Sequence, residues 1–172
     1  MSDLQGRVRA VCISTKRGTE KRPVEAGHFI PDYGIEGDAH AGKWHRQVSL
    51  LSYDKVLEFN AKGANVKDGD FGENLVVEGI DFRSLPVGSV IRAGTAVLRM
   101  TQIGKECHSH CEIFKRVGEC IMPKQGVFAE VLKEGDIRPG DIMTVDFPSP
   151  DRPFTAAVIT MSDKGSRGER ID

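Results

Sequence analysis

The sequence predicts a mainly-β domain, closed into a barrel or stacked as a sandwich. Three observations lead there. Seven apolar segments are each five to eight residues long, shorter than typical helices. Glycine occurs 19 times in 172 residues and falls largely between those segments, where turns are needed. Only two stretches carry a helical signature, and both are short.

Taken in order, "RVRAVCIS" (7–14) alternates apolar and polar residues like a half-buried strand, with Cys12 as a small buried hydrophobe in its middle. "KRGTEKRPVEAG" (16–27) reads as a charged loop. "HFIPDYGIEGDAHAGKWHRQ" (28–47) is broken by glycine and proline, too long a loop for a compact domain unless it binds something. "VSLLS" (48–52) is a strand, and Ser52 then stands where an N-cap would open a helix over 53–62 that buries Val56 and Phe59 and stops at Gly63. "NLVVEGI" (74–80), "SVIRAG" (89–94), "AVLRMTQI" (96–103), "GVFAEVL" (126–132) and "DIMTVDF" (141–147) complete the strands. "EGDIRPGD" (134–141) is a turn-rich connector.

Hydrophobic residues make up 39% of the chain and charged residues 28%, ordinary for a globular protein. The net charge of −1 supplies no global field to recruit nucleic acid or an anionic membrane, so an anion site must be a local cluster. No apolar run approaches the roughly 20 residues that span a bilayer. The start "MSDLQGRVRA" has no signal-peptide core, and the four cysteines then read as thiols, ligands or catalytic groups of a cytoplasmic protein.

Three of those cysteines lie in "GKECHSHCEIFKRVGEC" (104–120). Ser109-His110-Cys111-Glu112 fits a capping box, with Gly118 as the helix end. Cys111 then sits in the first helical turn, where unpaired N–H groups and the helix dipole favour a thiolate. Lys105, His108 and His110 push the same way. Zinc held by Cys107, Cys111, Cys120 and a histidine is an alternative, though the C-x3-C and C-x8-C spacings are not usual for structural zinc. A set of buried inert thiols is another. The second informative stretch is "YGIEGDAHAGKWHRQ" (33–47). Gly34 and Gly37 suggest turns with positive φ or close backbone approach to a ligand, with Asp38, His40, His45 and Arg46 offering donors, acceptors or metal ligands; a solvated loop with a partly buried Trp44 is the competing reading. In "DGDFGENLVVEG" (68–79), Glu73 and Asn74 enter a strand from glycine-bounded turns.

These blocks resemble the MOSC domain family, named for the C-terminal part of molybdenum cofactor sulfurases. "GIEGDAHAG" with Arg46, "FGENLVVEGID", "LPVGSVIRAGTAVLRMTQIGKECHSHC" and "GVFAEVLKEGDIRPGDIMTV" follow in family order from about residue 5 to 147. The resemblance implies a barrel-like β domain with two or more short helices. It also implies molybdenum cofactor (molybdopterin) binding, or sulfur transfer to it as a persulfide, through one cysteine that falls on Cys111, which would be the molybdenum ligand if cofactor is bound. Asn74 matches an asparagine near the cofactor, and Asp38, His40, Arg46, Lys105 and His108 are the further candidates for holding it. His110 stands where the family has proline or arginine. A cysteine desulfurase and an acceptor molybdoenzyme are the implied partners, and no pyridoxal phosphate site is expected in this chain.

"PSPDRP" (148–153) reads as an extended linker. "FTAAVITMSDKGSRGERID" (154–172) then resembles the truncated start of a molybdopterin adenylyltransferase α/β domain, leaving residues 1–147 as the MOSC-like part. Two further functions stay open from the sequence: a molybdoenzyme reducing N-hydroxylated or sulfoxide compounds, and a zinc-stabilised binding module without chemistry.

Overall fold

The structure, a computed structural model, describes residues 4–106, 114–115 and 118–148. Its strands are β1 (Gln5–Ile13), β2 (Arg22–Val24), β3 (Gly27–Ile30), β4 (Gly34–Ile35), β5 (Val48–Ser52), β6 (Leu75–Glu78), β7 (Val90–Ala93), β8 (Ala96–Ile103), β9 (Val127–Lys133), β10 (Gly135–Ile137) and β11 (Ile142–Asp146). Helix α1 (Tyr53–Asn60) follows β5, and the short α2 (Met122–Gln125) precedes β9.

Seven strands close on themselves in the order β1-β6-β5-β9-β8-β7-β11, with β11 returning to β1. Closure removes the unpaired edges that an open sheet would expose. All neighbours are antiparallel except β5 and β6. A parallel pair needs a crossover, and residues 53–74, carrying α1, provide it. β1 serves three partners: its first residues pair with β11, its middle with β6, and Val11–Ile13 with β2. The register with β6 shifts between Val8 and Ala10, and that of β8 with β9 shifts twice. Such irregularities bend the strands enough to close a small barrel.

Alternation decides which side chains fill it. On β8, Ala96, Leu98 and Met100 point inward while Val97, Arg99 and Thr101 face outward, and Arg99 pairs with Glu130 across the strands. Val8, Val11, Leu50, Leu75, Val77, Ile91, Val127 and Val145 complete the interior. Each fully buried aliphatic side chain of this kind contributes about 1.5–3 kcal/mol. A second cluster lies outside the barrel, where Val56 and Phe59 of α1 pack on Leu51, Phe71, Met122 and Phe128.

The seven long strands and α1 stand where the sequence places them, to within one or two residues. Ser52 occupies the N-cap position of α1, but its side chain makes no capping bond. Gly63 follows the helix with φ +92°. Four short strands lie in segments the sequence presents as loops. β3, β4 and β10 form a separate sheet in the order β10-β3-β4, and its Phe29, Ile35 and Ile137 join the barrel core. The helix expected over the cysteine segment falls largely outside the described residues; of it, Phe114 and Lys115 are helical, and Gly118, at φ +79°, donates its N–H to the Phe114 carbonyl at 2.7 Å. No helix among the described residues is long and apolar enough to cross a membrane.

Candidate functional site

The glycine-rich segment after β4 folds back on itself. Gly34 has φ +120°, and a Cβ there would stand 3.0 Å from the Gln47 carbonyl oxygen, so the loop closes only around a bare backbone. Asp38 is carried inward by this turn. Its Oδ1 accepts from the Ser14 N–H at 3.0 Å, and its Oδ2 from the His40 N–H at 3.3 Å. Oδ1 also receives the Lys21 ammonium at 2.5 Å, with the two side chains only 1% and 0% exposed. Lys21 Nζ lies 3.1 Å from His40 Nδ1 as well. A charged loop residue has thus become the buried centre of the site.

Lys21 reaches this position through its backbone. Its N–H donates to the Gly69 carbonyl at 2.9 Å, and its own carbonyl crosses so near Gly69 that a Cβ there would be 2.2 Å away. Beneath it lie Cys12 and Glu73. Burial, with help from the Glu73 charge, pushes the Cys12 thiol up to about 12, so Cys12 is inert as well as hidden. Glu73 is fully buried; Oε1 accepts from the Gly69 N–H at 2.7 Å and Oε2 has no hydrogen-bond partner among the described residues. Burial pushes its carboxyl up to about 7 despite the backbone N–H groups that favour the charged form. Burial likewise lowers the Lys21 ammonium from its ordinary value, against the pull of Asp38.

His40 lies between this interior and the surface, with its side chain 34% exposed. Its pKa is lowered by burial first and by Lys21 next; Arg17 and Lys105 act in the same direction and Asp38 opposes them. The His40 carbonyl accepts the Trp44 indole N–H at 3.0 Å. That bond orients the ring under Arg46, whose guanidinium carbon lies 4.7 Å from the Trp44 centroid and 5.6 Å from that of Phe128. Arg46 Nε is buried and has no hydrogen-bond partner among the described residues. Lys105 is held by backbone bonds, its N–H to the Pro123 carbonyl at 3.1 Å and that of Gly104 to the Gly126 carbonyl at 2.7 Å.

The structure therefore brings Asp38 and His40 together, lets the Lys105 charge act on His40, ties Arg46 to His40 through Trp44, and adds Lys21 and Arg17, which the sequence presents as a charged loop. Asn74 lies deeper. Its Oδ1 accepts from both the N–H and the hydroxyl of Ser49, and its Nδ2 donates to the Cys12 carbonyl at 3.0 Å. It stitches β1, β5 and β6 together, and Asp38 likewise spends both oxygens inside the fold. His45 bonds Gln102 at 2.8 Å at the surface. Cys107, His108, His110 and Cys111 lie outside the described residues. Among the described residues no group of three or more His, Cys, Asp or Glu could hold a metal ion. Clefts of about 690 and 700 Å³ open at the surface, the second beside Ser14, and none of Asp38, His40, Arg46 or Lys105 lines them. Chemically, the corner offers cationic and N–H donors beside an aromatic face, a setting for an anionic or hydrogen-bond-accepting ligand.

Residues 37–144 match the family model of the MOSC domain, more than half of the chain. The chain belongs to the MOSC domain family. Solved structures share the fold. The YuaD protein of Bacillus subtilis superposes with a TM-score of 0.69 at 20% identity, covering 82% of this chain and 95% of that one. YiiM from Geobacillus stearothermophilus gives 0.63 at 17% identity, over 85% and 77%. YiiM from Escherichia coli gives 0.62 at 18% identity, over 86% and 72%. No curated protein matches the sequence. The buried Lys21–Asp38 pair straddles the edge of the MOSC match, with Lys21 before it and Asp38 just inside.

Proposed function

We propose that this MOSC protein binds molybdenum cofactor, or carries sulfur to it, in the cytoplasm. MOSC domains are associated with that cofactor. The observation that carries the reading here is Arg46, stacked on Trp44 and near Phe128, its buried Nε without a hydrogen-bond partner among the described residues, beside a Trp44 held by the His40 carbonyl and a His40 ring on which the Arg17 and Lys105 charges act. Such a donor set fits the phosphate and polar edges of a pterin. Arg46, Lys105, His40 and His108 would hold the group directly. Asp38 and Asn74 would act beneath them by fixing the loops. Cys111 would supply the thiolate, as persulfide carrier or as molybdenum ligand, a soft donor suited to either. When bound, the cofactor supplies the metal centre; the chain's part is to orient it and to present the thiol. A cysteine desulfurase as sulfur donor and a molybdoenzyme as acceptor are the partners this reading calls for. Residues 1–147 form the MOSC part in the same proposal, with 148–153 as linker and 154–172 as the start of an adenylyltransferase-like segment.

The test is elemental analysis by plasma mass spectrometry of protein purified without oxygen, in parallel with Cys111→Ser and Arg46→Ala. Molybdenum or persulfide sulfur that disappears in Cys111→Ser, and molybdenum that falls in Arg46→Ala, supports the reading. Zinc in place of molybdenum, or sulfur and molybdenum kept by Cys111→Ser, overturns it.

A further inference from the structure

We propose that Lys21 is a positioning residue whose buried ammonium fixes His40 as a neutral imidazole with its proton on Nε2. His40 then meets its ligand as a directional hydrogen-bond donor, neither as a cation nor as a metal ligand. A lysine ammonium has three N–H donors and no lone pair, so at 3.1 Å from Lys21 Nζ the His40 Nδ1 can only accept. The ring proton is left to Nε2, the other edge of the ring.

Three features keep the arrangement in place. Asp38 Oδ1 holds the ammonium at 2.5 Å, with both side chains shut off from water. Asp38 is itself fixed by the N–H groups of Ser14 and His40. The Lys21 backbone is pinned to Gly69, where only glycine leaves room. Protonating Nδ1 would set N–H against N–H₃⁺. The charged groups facing His40 are Lys21, Arg17 and Lys105, which oppose an imidazolium, and Asp38, whose Oδ2 lies 3.9 Å from Nδ1 and favours it. Burial adds to the opposition. Coordination of a metal through Nε2 would require moving that proton to Nδ1, against the ammonium. The ligand atom facing His40 is therefore a hydrogen-bond acceptor, a carbonyl, ring nitrogen or phosphoryl oxygen. That last step rests on the binding site proposed above; the tautomer does not.

Long-range proton–nitrogen correlation spectra of the full-length protein with ¹⁵N-histidine, free of ligand, test it. The His40 signals are assigned by their absence from His40→Asn. The expected pattern at neutral pH is a protonated Nε2 and an unprotonated Nδ1, persisting below the ordinary histidine value of about 6.5. In Lys21→Met the His40 midpoint should rise and the tautomers should mix. A proton on Nδ1 or an imidazolium at neutral pH in the wild type overturns the proposal. So does a folded Lys21→Met with unchanged tautomer and midpoint. If Lys21→Met does not fold, the double variant Lys21→Met/Asp38→Asn, which removes both charges of the pair, takes its place with the same readings. Because no cofactor is present, the tautomer result stands or falls independently of molybdenum binding.

Discussion

Replacing Glu73 with glutamine removes one ionisation from the floor of the site while keeping the side chain's shape. The wild-type carboxyl goes from its ordinary 4.5 up to about 7 on folding, chiefly through burial. A group whose folded pKa is raised binds its proton more tightly in the native state. Its contribution is therefore fully present below pH 4.5 and is lost as pH rises to about 7, above which the loss is constant. At about 1.4 kcal/mol for each pH unit across that interval, the loss is about 3 kcal/mol. Glutamine is neutral throughout, and its Oε1 can still accept the Gly69 N–H that Glu73 accepts at 2.7 Å. Groups on which Glu73 does not act, among them the raised His28 beside Asp136 and Glu134, titrate alike in both proteins and cancel in the difference. Urea unfolding of the two proteins from pH 4 to 8 is the assay. Near pH 4 the midpoints should differ little; at pH 8 glutamine should unfold later by roughly 1–2 M, for a slope of about 2 kcal/mol/M. A difference that does not change with pH, or a glutamine variant that is the weaker of the two at pH 8, would refute the reasoning.

The buried pair makes a second prediction: Lys21→Met strands the Asp38 charge and should cost about 3–5 kcal/mol. Lys21→Met/Asp38→Asn should recover a large part of that in urea unfolding, and strict additivity would show that the two are not coupled. Gly63 and Gly69 share φ +92°, but a Cβ at Gly63 meets nothing within 4 Å while one at Gly69 lies 2.2 Å from a backbone oxygen. Gly63→Ala should therefore cost only the left-handed strain of about 1–2 kcal/mol, and Gly69→Ala about 2–5 kcal/mol with the clash added; equal melting temperatures would contradict the contact.

The barrel was legible because its strands obey a period of two. "AVLRMTQI" alternates and β8 buries Ala96, Leu98 and Met100 accordingly. The second sheet was not, because β4 has two residues and β10 three, too few to show any period, and both begin with glycine. These segments pair only because the barrel end holds them together. Cys12 could be assigned from its place in an alternating strand. Asp38, His40 and Arg46 could be picked out by their glycine setting and by family resemblance. Lys21 could not. In "KRGTEKRPV" nothing distinguishes it from the exposed Lys16, Arg17 and Arg22 around it. What buries Lys21 is distant in sequence: the Gly69 backbone, the Asp38 carboxylate and the His40 ring.

That distance explains what the buried charges accomplish. A buried ion pair is often no more stabilising than hydrophobic residues of the same volume, and a raised carboxyl at neutral pH is a cost. Lys21, Asp38 and Glu73 nevertheless join three segments that have no strand ladder between them. Ser14 and Lys21 belong to the loop after β1, Asp38 and His40 to the loop after β4, and Gly69 and Glu73 to the turns before β6. Apolar side chains could fill the same volume but could not select one loop register, because their contacts have no direction. Hydrogen bonds and ion pairs do. The loops that carry His40 and Arg46 are thus set by a polar core under them, and the stability given up at Glu73 is traded for a fixed geometry where the ligand would bind.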